Sequence, residues 1–381
     1  MRKTIYFTLL FFISCSSGNK HKTELVLNNE LNEKEHEQSF LSGELLSSDS
    51  DIPLGNIVDL IDNNIIISSY RQNNAFSVYQ LKGDSLIEKE AFLRHGEGPF
   101  EMIQPFSFYN KQENKLYVYD HVGYLKSMYS IDLQNFQNLY NTSTRVEIQT
   151  PDLKDYFWPG RMRKMNDNSF LMLGSKVRSR NLLSKINLTN NAAFELNSPY
   201  PEQDGAFSVD QMVKQGVYLD GVIEKHPDLD KVVYACSTGK YAEIIDLMHS
   251  ELNRTLISAI YPKYRTQDGI NRAYLDDCLQ GMQVRVTENY IYTLLYPLTK
   301  GDVRNKKSYK GYPSYCGDEL LVFNWQGEFI KKYALDNPVY SYVVDEKDDF
   351  LYAMTTHIDG EGELMKRYKL KLPDDFEQHY K

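Results

Sequence analysis

The chain is poor in the residues that mark disulfide-stapled, metal-stapled or recognisably catalytic proteins. Of 381 residues, 4 are Cys and 2 are Trp. No C-x-x-C occurs, which removes zinc knuckles and thioredoxin-type sites. Basic residues are the minority, 43 Lys plus Arg against 52 Asp plus Glu, for a formal charge of −9. A nucleic-acid partner needs a basic face, so none is expected. No stretch reaches the ~18 apolar residues of a membrane-spanning helix. There is no G-x-S-x-G elbow, no Walker loop, and no H-E-x-x-H among the 8 histidines. These absences make binding, rather than catalysis, the first expectation.

What is abundant is aromatic: 29 Tyr and 18 Phe. Rings and β-branched residues favour strands, and 41% hydrophobic residues supply a sizeable core. The N-terminus has a different character. Arg2 and Lys3 precede an apolar run from Ile5 to Ile13. That run is too short to span a bilayer and fits the apolar region of a secretory signal. Ser14 and Cys15 follow, then polar Ser16-Ser17-Gly18, a pattern similar to a bacterial lipobox. Residues 1–14 are read as a signal peptide, Cys15 as the lipidated residue, and 15–38 as a polar tether. The expected location is the bacterial cell envelope, anchored by lipid, most simply in the outer membrane; either its periplasmic face or the cell surface fits. Cys236, Cys278 and Cys316 remain. Three buried thiols are expected, with one disulfide of undetermined pairing as the alternative.

From residue 39 onward one pattern recurs: an apolar strand, a polar turn of Asp, Asn or Lys, then a second apolar strand. The six second strands begin near residues 65, 116, 170, 232, 290 and 350. Several copies carry a further hairpin, as at Phe76 to Leu81 before Gly83-Asp84 and Leu320 to Phe323 before Gln326-Gly327. Two hairpins per unit and six units predict an all-β, six-bladed β-propeller of four-stranded blades over 39–381. The last unit supplies only three strands, Tyr340 to Val344, Phe350 to Met354 and Leu364 to Lys371. A strand from the region Phe40 to Leu46 is expected to complete it, because an open ring would expose a strand edge.

The first unit ends in Arg94-His95-Gly96-Glu97-Gly98-Pro99-Phe100-Glu101, and the C-terminal half carries Thr287 to Tyr292, Leu320 to Gly327 and Phe350 to Ala353. In this order the motifs resemble the TolB-like six-bladed β-propeller lipoproteins of bacteria, whose signature runs G-x-G-P-G-E after the first blade. Phe100 stands where that signature has its third Gly. The resemblance covers about Gly43 to Leu372 and implies the fold and the lipid anchor. It implies little about function, because propellers host many roles.

Three groups are candidate ligand-binding residues. Arg94, His95, Glu97 and Glu101 concentrate charge in a glycine-containing loop at an inter-blade connection. A purely structural alternative has Glu97 or Glu101 capping backbone donors of a tight turn. Arg161 and Arg163 share one face of a strand that begins the third unit and could face the central channel; surface or structural salt bridges are the plainer reading. Tyr309, Lys310 and Tyr312 belong to a basic, aromatic segment of about twenty residues, Pro297 to Gly317, read as a loop. No catalytic residue and no cofactor is assigned. The leading expectation is a module binding an envelope protein or a glycan. Its rival is a metal-dependent hydrolase or lactonase-like enzyme acting on a glycan or small ester. That rival needs a divalent cation in the channel, held by His95, Glu97 and carboxylates of other blades.

Overall fold

The computed structural model describes residues 38–70, 72–98, 101–120, 128–133, 136, 139, 145–157, 160–201, 209–248, 252–268, 271–358 and 362–372. Cys15 and the signal and tether segments lie outside these residues. Six four-stranded antiparallel sheets follow one another along the chain. The innermost strands are Gly55–Ile61, Pro105–Asn110, Met162–Lys164, Gly221–Lys225, Met282–Val286 and Ser341–Val344. Each touches the next around a ring, and the sixth touches the first. The chain is a closed six-bladed propeller.

Hydrophobic burial explains the ring. The second strand of each blade lies inside its sheet and is covered on both faces, so it reads as a continuous apolar run rather than an alternating one. Alternation decides which neighbour each side chain meets. In blade 1, Ile65 and Ile67 pack toward blade 6, while Ile66 packs toward blade 2. In blade 4, Val232 and Tyr234 pack toward blade 3, while Val233 and Ala235 pack toward blade 5. Among the described residues the buried apolar side chains form six clusters, one at each blade interface. The second strands start at Asn64, Lys115, Ser169, Lys231, Tyr290 and Phe350. Each start falls within one residue of the repeat positions read from the sequence.

Closure is more extensive than expected. Glu44–Leu45 pairs antiparallel with Glu363–Lys369 and supplies the missing fourth strand of blade 6. The same segment also reaches both neighbouring blades. Ser39–Leu41 runs parallel to the outermost strand of blade 5, and Ser47–Ser48 runs parallel to the outermost strand of blade 1. Ten residues therefore stitch three consecutive blades at the seam of the ring. Gly43 sits where this segment passes the Tyr368 ring; a Cβ there would lie 2.6 Å from the ring carbons. Its amide donates to Asp336 Oδ2 at 3.2 Å.

The two ends of the ring differ. One end carries the first-to-second connections of the blades, which are short hairpins, and third-to-fourth hairpins such as Lys82–Ser85 in blade 1 and Asn187–Ala192 in blade 3. The other end carries the long connections. They include the helix Gln211–Tyr218, the hairpin Tyr264–Gln267 with Asn271–Tyr274, and the segment from Tyr296 to Cys316. That last segment reads from the sequence as a loop, Pro297 to Gly317. It instead contains the helical turn Lys300–Arg304, started by a capping box between Thr299 and Asp302. Among the described residues no helix is long and apolar enough to cross a membrane.

Candidate functional site

The central channel is crossed by a layer of charge. Arg163, Glu224 and Arg285 are each the penultimate residue of the innermost strand in blades 3, 4 and 5. Arg163 donates to Glu224 Oε2 from Nε at 3.1 Å and from Nη2 at 2.6 Å. Arg285 donates to Glu224 Oε1 from Nη1 at 3.2 Å, and its remaining N–H groups reach the carbonyls of Tyr342 and Ile57. Arg163 Nη1 donates to the Met162 carbonyl at 2.7 Å. All three side chains are largely buried. Asp59 joins the layer from blade 1. A β-bulge between Ile57 and Asp59 breaks the strand alternation at that point, the usual device for re-aiming a side chain. Burial pushes the Asp59 carboxyl up to about 6, against the opposing pull of the Leu60 amide and of Arg285.

The layer divides the channel. Toward the short hairpins lies a small cavity of about 130 Å³. Toward the long connections lies one of about 540 Å³, within the ~300–1,000 Å³ usual for small-molecule sites. Its walls include Arg161, Phe106, Tyr70, His95 and Gln283 above the charged floor. The Arg161 guanidinium carbon sits over the Phe106 ring, 4.3 Å from its centroid. Phe106 also stacks on Tyr119, with the ring centroids 5.9 Å apart. Among the described residues no carboxylate and no carbonyl meets the edge of Arg161. Burial lowers its affinity for the proton, which marks the cost of holding this charge without an ion-pair partner. Gln283 presents a second unsatisfied group: its amide Oε1 is buried with no hydrogen-bond partner among the described residues, a cost of about 1–3 kcal/mol.

Of the residues singled out from the sequence, the cavity brings together His95, Arg161 and Arg163. His95 lies on its wall, with Nε2 3.0 Å from the Ser69 carbonyl. Arg94 and Glu97 are exposed and do not line it. Glu101 has a backbone role, its Oε2 accepting the Gly98 amide at 3.0 Å. Tyr309, Lys310 and Tyr312 are elsewhere, and their polar groups are engaged within the protein. Tyr309 donates to Asp318 at 2.9 Å, Lys310 pairs with Asp318, and the Tyr312 hydroxyl accepts Asn337 Nδ2 at 2.6 Å. The basic character of this segment is largely spent on internal pairs, including Lys307 with Asp302 at 2.7 Å and Arg304 with Asp276. Among the described residues no three His, Cys, Asp or Glu side chains converge as a metal site. Cys236, Cys278 and Cys316 are separate, free and buried.

A larger concavity of about 980 Å³ lies on the hairpin side across blades 4 to 6, around Trp325 and Asp348. Its principal polar groups are already matched. Asp348 accepts Tyr292 at 2.7 Å and Asn289 at 2.9 Å, and Trp325 Nε1 donates to the Thr287 carbonyl at 3.1 Å. The 540 Å³ cavity differs in having unmatched ones.

Fold and site define a closed propeller with a polar, net-basic cavity at the elaborated end of its channel. The chain belongs to the family described as TolB-like 6-blade propeller-like, which matches residues 31–347. No curated protein matches the sequence. Among solved structures, it is similar to the extracellular domain of a candidate hybrid two component system from B. thetaiotaomicron. That match has 10% identity and a TM-score of 0.42, over 83% of this chain and 34% of the other, so this chain spans about a third of that one. It is also similar to hydrazine synthase of Kuenenia stuttgartiensis, with 11% identity and a TM-score of 0.42 over 84% of each chain. A gluconolactonase of Xanthomonas campestris gives 9% identity and a TM-score of 0.43, over 87% of this chain and 98% of the other.

Proposed function

We propose that the protein is a ligand-binding module of the bacterial cell envelope, tethered through a lipid on Cys15, with its ligand seated in the 540 Å³ cavity. The observation that carries this reading is Arg161. A guanidinium enclosed in a cavity, laid on a ring and lacking an ion-pair partner among the described residues costs stability. It is readily understood as a group waiting for a ligand. The long connections around the same mouth support the reading, since binding surfaces in rigid scaffolds are usually built from such segments. The N-terminal pattern of Arg2, Lys3, the Ile5 to Ile13 run and Cys15 supports the address.

Two measurements test it. Cells fed an alkyne fatty acid should label the wild-type chain and not Cys15→Ala; a labelled variant would remove the anchor. Thermal unfolding of the purified chain, with EDTA, divalent cations, glycans and short peptides in turn, tests the site. A ligand at 100 times its Kd adds about 2.7 kcal/mol of stability. Stabilisation abolished by Arg161→Gln supports the reading. A fall with EDTA restored by one metal would instead favour the hydrolase.

A further inference from the structure

The chemistry of the cavity narrows what it holds. Its charged lining consists of three guanidiniums, Arg161, Arg163 and Arg285, against two carboxylates, Asp59 and Glu224. Arg163 and Arg285 have their donors occupied by Glu224 and by main-chain carbonyls. Among the described residues Arg161 alone of the three has N–H groups without an acceptor, and its guanidinium carbon rests over the Phe106 ring at 4.3 Å from the centroid. That arrangement suits one planar, bidentate acceptor, which is the geometry of a carboxylate. A dianionic phosphate would overshoot the surplus of a single positive charge and approach the carboxylates of the floor.

The rest of the lining is neutral and hydrogen-bonding. Asn56, Ser68, Gln104 and Gln283 surround the space; the Gln283 amide oxygen is itself fully covered and has no donor among the described residues. Asn56 Oδ1 and the Gln104 amide have no hydrogen-bond partner among the described residues and are partners for hydroxyl groups, whereas Ser68 Oγ is engaged with the Asn56 main chain. At the rim stands Tyr70, 60% exposed, its hydroxyl held by Asn56 Nδ2. An exposed ring held in one orientation beside hydroxyl-binding amides is a surface for the C–H face of a pyranose. The volume exceeds what a bare carboxylate such as acetate would fill.

We propose that the ligand is a carboxylate-bearing sugar, a uronic acid or an oligosaccharide that presents one, with its carboxylate on Arg161 and its ring against Tyr70. This rests on the reading of the cavity as the binding site.

Isothermal titration of the full chain tests it, using D-glucuronate, glucose, the uncharged glucuronamide, glucose 6-phosphate and N-acetylalanine. Glucuronate should bind, and glucose and glucuronamide at least tenfold more weakly. Arg161→Gln and Arg161→Lys should each lose tenfold or more for glucuronate, because lysine lacks the planar fork. Unchanged near-ultraviolet circular dichroism would show both variants folded. Tyr70→Ala should weaken glucuronate and leave N-acetylalanine unaffected. The sugar-acid assignment is overturned if glucose 6-phosphate or N-acetylalanine binds as tightly as glucuronate, or if Arg161→Gln binds it as the wild type does. If another probe binds in an Arg161-dependent way, the ligand class falls and the cavity stands. If no probe binds at all, both fall.

Discussion

Replacing Asp59 by Asn should stabilise the protein at neutral pH and remove a pH dependence that the wild type carries. The Asp59 carboxyl sits in the charged floor of the channel, and burial raises it from 3.8 to about 6. A raised carboxyl means that the folded state binds its proton more tightly than the unfolded state. The associated stability is fully present below pH 3.8 and is lost as pH rises through about 6. A shift of this size corresponds to about 3 kcal/mol at 1.36 kcal/mol per pH unit. Access of water to the cavity lowers the figure to about 2–3 kcal/mol. Asparagine keeps the acceptor for the Leu60 amide, at 2.8 Å in the wild type, and carries no charge to desolvate. For a domain of this size the unfolding entropy is on the order of 0.7 kcal/mol/K, so Asp59→Asn should raise the Tm by about 3–4 °C at pH 7.5. At pH 4 the two proteins should unfold within about a degree of one another. Differential scanning calorimetry from pH 4 to 8 reads both. Parallel curves for the two proteins, or a variant less stable at pH 7.5, would refute the assignment of a strained charge to Asp59.

Glu224→Gln leaves Arg163 and Arg285 without their shared carboxylate and should cost about 3 kcal/mol, or about 4 °C in Tm. Stability equal to wild type would show that the layer is not held by Glu224. An anionic ligand should bind more weakly as pH rises through about 6, because Asp59 gains its negative charge there; Asp59→Asn should flatten that profile in titration calorimetry. Gly43→Ala forces the Tyr368 ring out of the seam and should cost about 1–3 kcal/mol, read as an earlier denaturation midpoint; no change would mean the seam segment yields freely. Cys236 and Cys316 are pushed up to about 11 and about 12 by burial, and Cys278 is raised as well. All three thiols should therefore resist a disulfide reagent until the protein is unfolded, and rapid reaction of any of them in the native protein would contradict its burial.

The fold was legible because a propeller writes its geometry into sequence repeatedly. Each second strand is buried on both faces, so Ile65-Ile66-Ile67 or Val232-Val233-Tyr234 appears as an uninterrupted apolar block bounded by a polar turn. Six such blocks at similar spacing admit few other folds. What sequence spacing missed at the seam was parallel pairing. Ser39–Leu41 and Ser47–Ser48 are short, and most of the intervening residues are exposed, so no alternation betrays them. The Tyr296 to Cys316 segment misled for a different reason. Its lysines and arginines suggest a surface for an anion, yet most of them meet Asp276, Asp302 or Asp318. Charge composition does not reveal whether a charge is already matched.

The site was half legible, and the missing half shows where its information lies. Arg161 and Arg163 are legible because they open the third unit two residues apart, a spacing that puts both on one face of a strand. Glu224 and Arg285 attract no notice singly, since each sits in an ordinary strand beside an ordinary turn. Superposing the repeats on their inner strands changes this, because Arg163, Glu224 and Arg285 then fall on one penultimate position in three successive blades. Three charges at one level of one ring must face each other across the channel, whatever their local context. Asp59 escapes even that test, because the bulge after Ile57 shifts it by one residue. The bulge is thus a functional device in this reading. Without it the blade 1 strand would keep its regular alternation, the floor would lose a carboxylate, and the cavity would be more basic still. A site tuned to hold one carboxylate rather than a polyanion requires that restraint on its positive charge.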